Sequence, residues 1–436
     1  MSNLETIRLG DLLAEQPAYG ANASALQPNG IDPRYLRITD IDDQGRLLHC
    51  EIRCIPSLVA RNYILQDGDI VIARTGNTVG KSYLHKSQNG LLAFAGYLIR
   101  FRIDKAKGDP FFVFHFLHSS VYWTWIQNTL RTGAQPNINS LEYKNLTIPK
   151  LPLPHQRKIA KILTTVDNLI EKTESLIAKY QSIKQGMMHD LFTRGVDAKG
   201  KLRPSQSDAP ELYKQSELGW IPKDWEVERL ENHLDRIDQG WSPDCDSEPA
   251  TAGEWGVLKT TAVVWNGFND LENKKLPKHL KPEPNYEVKV NDVLMTRGGP
   301  NSRVGVVVFV NETRSRLMLS DKIYRISLKQ SVLPNYIALA LSSKSTQIHL
   351  STLKTGLAES QTNISQKIVK QLLVSIPNLK EQLIICKHIR KTEDFLNSNL
   401  RTLLEWKTIK TALMQDLLTG RVQVTPDEID KELAHA

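Results

Sequence analysis

Three groups of residues in this chain are spaced as if for chemistry. Gly76-Asn-Thr-Val-Gly80-Lys81-Ser82 follows a predicted strand, and its composition suggests a loop that wraps phosphates in backbone N–H groups. Such a loop needs four residues between its glycines and here there are three; the matching stretch of the second half, Gly298 to Val306, has no Lys-Ser. Pro243-Asp244 with Glu287-Val-Lys289 has the residue types of a nuclease in which two carboxylates converge on divalent ions, but the first half has no equivalent. Cys50 and Cys54 have the spacing of half a zinc site, with no second Cys or His pair to complete a tetrahedron. Methyl transfer would ask for a glycine-rich cofactor loop and an Asn/Asp-Pro-Pro type of pocket, and the histidines are scattered without a Cys or Ser partner. The expectation is therefore a binder: no catalytic residue, no metal ligand and no cofactor-binding residue in this chain.

What remains is cations interleaved with aromatic and polar residues. The formal net charge is +8 and the pI is near 9.1, which favours a polyanionic partner. The candidate DNA-binding residues are Arg34, Arg37, Arg74 and Lys81 in the first half and Lys274, Lys275, Arg297 and Arg303 in the second. Lys and Arg neutralise phosphates, while Arg on guanine and Asn or Gln on adenine read bases in the major groove. The glycine-rich stretches are then expected to be loops presenting Arg74 and Lys81, or Arg297 and Arg303, to that partner. Hydrophobic content of 40% and charged content of 24% are those of a folded globular protein. No apolar run approaches membrane-spanning length, the N-terminus does not read as a signal peptide, and four cysteines are too few for a disulfide framework. A cytoplasmic protein with no membrane partner is expected.

The elements that must position these residues come in duplicate. Leu153 to Val196 recurs at Leu379 to Val422 with a constant offset and no gap: Gln156 matches Gln382, Ile159 Ile385, Asp190 Asp416 and Leu191 Leu417. Ile159, Ile162, Val166, Leu169, Thr173, Leu176, Tyr180, Ile183 and Met187 step by three and four, which is a coiled-coil seam. Leu-Pro-Leu-Pro before it and Gly195 after it bound a helix from about Gln156 to about Phe192, roughly 54 Å at about 1.5 Å per residue. Two rods of equal length in one chain most economically pack on each other.

Residues 1–150 read as a mixed domain. Tyr35-Leu-Arg-Ile-Thr, Asp69-Ile-Val-Ile-Ala and Tyr97-Leu-Ile-Arg-Phe-Arg are predicted strands, and Phe111 to Ile126 is a predicted buried helix starting at Pro110. This is an α+β pattern without regular strand-helix alternation. Residues 151–196 are the first rod, and 197–226 an irregular connector anchored by Trp220, Ile221 and Trp225. A second mixed domain at 227–375, a second rod at 376–422 and an acidic, flexible tail at 423–436 complete the division. The second domain repeats the first faintly: Gly68-Asp-Ile-Val-Ile-Ala-Arg-Thr-Gly matches Asn291-Asp-Val-Leu-Met-Thr-Arg-Gly-Gly, and Arg100 matches Arg325. Asn22 to Arg34 and Trp241 to Gly253 do not resemble each other, so two related scaffolds carry different loops.

At the rods the chain resembles a known family. Pro152-Leu-Pro-His-Gln-Arg-Lys-Ile-Ala-Lys-Ile-Leu with Met188-His-Asp-Leu-Phe-Thr, and Ile376-Pro-Asn-Leu-Lys-Glu-Gln with Met414-Gln-Asp-Leu-Leu-Thr-Gly, look like the repeats of Type I restriction-modification specificity (S) subunits. Gly219-Trp-Ile-Pro-Lys-Asp-Trp-Glu resembles the opening of that family's second target-recognition domain. The resemblance implies two similar mixed α/β target-recognition domains separated by two long antiparallel coiled-coil helices, a pseudo-twofold internal repeat. It implies that each domain reads one half of a split asymmetric sequence in double-stranded DNA, and that the helices set the spacer and dock two methyltransferase (M) subunits. Restriction (R) subunits would join the full complex, and S-adenosylmethionine, Mg2+ and ATP would belong to those partners. A rod of about 54 Å spans roughly sixteen base pairs at about 3.4 Å each, so an unread spacer is expected. Two other readings stay open: a self-contained DNA-acting nuclease or NTPase, and a non-DNA coiled-coil scaffold. One departure also stays open. Aligned to the first seam, the second rod places His388, Thr392, Asn399 and Thr402 where apolar residues are wanted, while Ile389, Leu396, Leu403 and Leu417 form a stripe one position over. Either the seam is shifted, or that stripe faces an M subunit.

Overall fold

The computed structural model describes residues 5–130, 136–245, 247–354 and 362–426; most of the tail expected at 423–436 lies outside them. The chain divides into two compact units, one of residues 1–176 with 399–436 and the other of 177–398. Each long helix thus contributes one segment to each unit.

In the first unit, β1 (Ala18–Tyr19), β2 (Asp69–Ala73), β3 (Ser82–Leu84) and β4 (Leu98–Arg102) form an antiparallel sheet of order β1-β4-β2-β3. Every residue of β2 is buried, which explains its unbroken Ile-Val-Ile run. The one carboxylate in it, Asp69, takes two hydrogen bonds from Arg102 at 2.7 and 2.8 Å and one from the backbone of Gln66 at 2.8 Å. The predicted strand at Tyr35 is shorter than expected: Arg34–Leu36 pairs in parallel with Leu92–Phe94, and Ile38–Asp40 is a 3-10 turn. The single helix expected from Pro110 is two, α1 (Pro110–Phe116) and α2 (Ser120–Thr129). Ser119 is extended between them, and its hydroxyl accepts the Tyr122 N–H as an N-cap. The chain then enters α3 (Leu153–Thr193), which starts inside the Leu-Pro-Leu-Pro stretch because proline is tolerated in a first helical turn.

The second unit rebuilds this plan. Its β5 (Leu234–Gln239), β6 (Val293–Thr296), β7 (Val307–Phe309) and β8 (Ile323–Leu328) have the equivalent order β5-β8-β6-β7. Asp292 stands where Asp69 stands, accepting the Lys289 N–H at 2.8 Å. Ser343 separates α4 (Pro334–Ser342) from α5 (Lys344–Leu353), as Ser119 separates α1 from α2. The segment expected to be an irregular connector contains a hairpin, Tyr213–Ser216 paired with Gly219–Pro222. Ile221 and Trp225 are buried there, but Trp220 is 47% exposed and anchors nothing. The last helix is α6 (Leu379–Leu417).

Within each unit the segments of α3 and α6 run antiparallel. In the first, Asp167 pairs with Lys410 at 2.6 Å and Glu174 with Lys407 at 3.0 Å, one number rising as the other falls. In the second, Lys184 pairs with Glu393 at 2.7 Å and Tyr180 stacks on Phe395 with ring centroids 4.1 Å apart. The seam is not the predicted one. On α3 the buried or half-buried line is Ile159, Leu163, Val166, Ile170, Thr173, Ile177, Tyr180, Lys184, Met187 and Leu191, while Ile183 is 40% exposed. On α6 it is Ile385, Ile389, Thr392, Leu396, Asn399, Leu403, Trp406, Lys410, Leu413 and Leu417, the same positions of the repeat. The two rods therefore share one seam. Choosing the neighbouring stripe on the first, where Ile162, Leu169 and Leu176 sit beside Leu163, Ile170 and Ile177, accounts for His388 and Thr402; Thr392 and Asn399 are polar positions of the seam itself.

The repeated glutamine ties each rod to its domain. Gln156 accepts the Asp109 N–H at 2.9 Å and donates to Leu151 O at 2.8 Å; Gln382 accepts the Leu333 N–H at 2.9 Å and donates to Pro377 O at 2.8 Å. Both satisfy N–H groups at the start of a domain helix, so both must be Gln and both are buried.

Candidate nucleic-acid interface

In each unit the central strand ends in a tight hairpin. After β2 the chain passes Arg74, a 3-10 turn at Gly76–Thr78, Gly80 and Lys81 before β3. After β6 it passes Arg297, a 3-10 turn at Asn301–Arg303 and Gly305 before β7. Gly80 and Gly305 have φ of +91° and +90°, and a Cβ at Gly305 would lie 2.4 Å from a Leu350 methyl. Both positions need glycine. The Gly80 carbonyl accepts the Tyr122 hydroxyl at 2.8 Å, and the Gly305 carbonyl accepts Gln347 Nε2 at 3.0 Å. The Gly-Lys-Ser sequence thus leads into a strand and not into a helix N-terminus, so it lacks the dipole end that a phosphate loop uses.

The structure brings Arg74 and Lys81 together on the first hairpin and Arg297 and Arg303 on the second. Lys274 and Lys275 lie elsewhere, on a strand paired with Gly256–Leu258, and Arg34 and Arg37 lie on and beside the parallel pair of the first unit. Three candidates are neutralised inside the protein. Arg37 is held by Asp40 at 2.7 Å, Lys81 by Asp43 at 2.6 Å and Lys275 by Glu254 at 2.5 Å. The Lys81 ammonium holds the Asp43 carboxyl below its ordinary range, and hydrogen bonding to Lys275 pulls Glu254 down to about 2. Arg34 donates to the Leu48 carbonyl. Arg303 and Lys274 are exposed.

Arg74 and Arg297 differ from all of these. Each guanidinium lies over a tyrosine ring, Arg74 over Tyr19 at 5.0 Å and Arg297 over Tyr324 at 5.4 Å. Each has a buried Nε without a hydrogen-bond partner, as Arg34 also has, and Arg297 Nη1 donates to the Asp321 carbonyl at 3.3 Å; among the described residues neither has a carboxylate at ion-pair distance. Sequence reasoning found both arginines and neither tyrosine. The rings come from other strands, and only the register of those strands reveals them.

The two nuclease-like carboxylates have different surroundings. Asp244 lines an open cavity with Cys245, Lys275 and His279, whereas Glu287 accepts the Arg316 N–H at 2.6 Å and bridges to Met318. Cys50 is exposed and Cys54 buried. Among the described residues no group of three or more His, Cys, Asp or Glu is placed to hold a metal ion. Among them, too, no helix is long and apolar enough to cross a membrane.

The family model for the type I restriction modification DNA specificity domain matches twice, at residues 1–180 and 222–405. The chain belongs to that family. A specificity subunit of the EcoEI type I restriction enzyme of Escherichia coli is 41% identical over 207 residues, covering 47% of this chain but only 33% of that relative. The MjaX specificity subunit of Methanocaldococcus jannaschii, described as putative, is 26% identical over 374 residues, 83% of this chain and 80% of its own length. The crystal structure of a type I restriction-modification system S subunit from M. genitalium shares the fold, with a TM-score of 0.64, 14% identity and 98% of both chains covered. The two family matches begin and end close to the two structural repeats, so the specificity domain is present twice.

Proposed function

We propose that this chain is the sequence-reading subunit of a type I restriction-modification enzyme. Residues 1–150 and 227–375 are its two target-recognition domains, each reading one half of a split, asymmetric duplex sequence. The observation that carries this reading is the duplication itself: two sheets of one topology, each ending in a hairpin with an arginine that the protein leaves un-neutralised, and each carrying loops unlike the other's. The long helices set the unread spacer and dock two M subunits. In support, α3 alone has 41 residues, about 60 Å at about 1.5 Å per residue. The chain performs no chemistry; S-adenosylmethionine, Mg2+ and ATP belong to the M and R subunits it recruits. Arg34, Arg37, Lys81, Lys274, Lys275 and Arg303 belong to the DNA-facing surface together with Arg74 and Arg297. The ion-paired members exchange their carboxylates for phosphates on binding.

The test is to co-express the chain with an M subunit and map the modified adenines. A bipartite motif should emerge, and exchanging residues 1–150 for those of a relative should alter one half of it and leave the other intact. Methylation indifferent to the exchange would overturn the assignment.

A further inference from the structure

The arrangement around Arg74 and Arg297 is kept in a way that shared ancestry alone does not explain. The two arginines occupy the same position after the central strand. Each has its backbone clamped by the same pair of bonds: Arg74 N–H to Tyr97 O at 3.0 Å and Ile138 N–H to Arg74 O at 2.9 Å; Arg297 N–H to Lys322 O and Ile364 N–H to Arg297 O, both at 2.8 Å. The tyrosine beneath, however, comes from different strands. In the first unit Tyr19 of β1 faces Ile99 of β4; in the second, Gln239 of β5 faces Tyr324 of β8. The ring has moved to the other member of the same cross-strand pair. The anchoring of the rings differs as well, since Tyr19 donates to Ser140 Oγ at 3.2 Å and is 40% exposed, while Tyr324 donates to Ile364 O at 3.1 Å and is 2% exposed. What both repeats preserve is a guanidinium fixed over an aromatic face, not the tyrosine that supplies the face.

A side chain held alike in two domains whose loops differ must meet something common to both half-targets. Bases are not common to the halves of an asymmetric site; the phosphodiester backbone is. A guanidinium without a carboxylate partner, stacked so that little rotamer entropy remains to be lost, is suited to that ligand. We propose that Arg74 and Arg297 are a matched pair of phosphodiester contacts, one for each half-site, which grip the duplex irrespective of its sequence and leave base readout to the loops that differ. This rests on the DNA-reading function proposed above.

The experiment uses the full chain complexed with an M subunit, and duplexes carrying either the mapped motif or a scrambled one, titrated at several KCl concentrations. Arg74→Gln and Arg297→Gln should each weaken both duplexes by a similar factor, roughly tenfold, and reduce the slope of log affinity against log salt by about one. Their combination should reduce it by about two, and the methylated motif should not change. Arg→Lys at either site should keep most of the salt slope, separating lost charge from lost folding, and the thermal melt of each variant checks the latter. The proposal is overturned if a variant changes the preferred base at one position while scrambled-duplex affinity stays constant, which would make the arginine a base reader. It is equally overturned if neither duplex is affected. A wild-type complex that shows no preference for any sequence would instead sink the underlying function.

Discussion

The two rods begin with the same glutamine, but the residue before it differs, and so does the task of each helix start. Glu381, ahead of Gln382, is buried and accepts the Val196 N–H at 2.8 Å and the Arg203 guanidinium at 2.5 and 3.1 Å. At the matching position the first rod has His155, whose Nδ1 is buried without a partner. The second rod must fasten its own domain and also catch the chain leaving α3, which turns at Gly195 where a Cβ would lie 2.4 Å from Glu381 Oε1. The start of the first rod meets the chain leaving α6 through apolar contacts, Ile159, Ala160 and Leu163 clustering with Leu417 and Leu418, with Val424 packed against them. Repeats of one sequence diverge where their neighbours in the chain differ.

Glu381→Ala is the largest test of that difference. It leaves the buried Val196 N–H without an acceptor and takes from Arg203 the more buried of its two carboxylates, Asp224 remaining at 2.9 Å, at a cost of about 3 kcal/mol. His155→Ala should cost less than about 1 kcal/mol, because no hydrogen bond is lost. Urea midpoints of the two variants measure the contrast, and equal shifts would show that the clamp contributes nothing specific to the second unit.

The first unit carries a burden of its own. Burial pushes His115 down to about 3, aided by the nearby Lys410 and Lys86 charges, and burial also lowers His118. His115 is therefore neutral: its 3.0 Å contact with Thr164 is a hydrogen bond, and the 3.7 Å approach to Asp167 is not an ion pair. A folded-state pKa below the unfolded value of about 6.5 means that the unfolded chain takes up the extra proton. Stability from His115 is complete above about pH 6.5 and declines as pH falls towards about 3, by up to about 1.4 kcal/mol per pH unit, and the lowered His118 adds a loss of the same sign. Hydrogen exchange at pH 4.5 should therefore open the first unit before the second, and His115→Gln should narrow the gap. Loss of protection in both units together would refute the assignment.

The rods, the strands Asp69–Ala73 and Leu98–Arg102, and the repeat of Arg74 at Arg297 were legible in the sequence because period and composition carry them. The break at Ser119 was not, since apolar residues continue across it and only the N-cap geometry stops the helix. The seam illustrates a more general limit. A line of threes and fours fits two adjacent stripes on α3 equally well, and one copy cannot choose between them. Comparing copies could have chosen, because Leu163, Ile170 and Ile177 have apolar counterparts in Ile389, Leu396 and Leu403, whereas Ile162 and Leu176 face His388 and Thr402. Of the candidate site, the cations could be listed but not sorted. Which of them the protein neutralises depends on Asp40, Asp43 and Glu254, and for Lys81 and Lys275 that partner is distant in sequence.

Where the repeats agree, the effects should agree too. Gln156→Ala and Gln382→Ala each leave a buried N–H without an acceptor, at about 1–3 kcal/mol. The costs should be alike and additive in the double variant, because the residues belong to different units. A double variant much worse than the sum would mean that the two anchors are coupled.

The smallest effect tests the seam. Val166 and Thr392 are equivalent and both buried, but Thr392 brings a hydroxyl that donates to Met187 Sδ at 3.9 Å, a weak acceptor. Thr392→Val keeps the β-branched shape, removes a poorly satisfied polar group and should stabilise the protein by about 0.5–1 kcal/mol. Val166→Thr should destabilise it by at least as much. Had the predicted stripe faced inwards on both rods, position 392 would still lie on it, so the discriminating control is one step away. Ile389→Ala should cost about 2–5 kcal/mol, and His388→Ala about 1 kcal/mol, because Ile389 is fully buried whereas His388 is half-buried and loses only its 3.2 Å hydrogen bond with the Gly200 carbonyl. The reverse ranking of Ile389 and His388 would restore the other seam and with it the asymmetry between the rods.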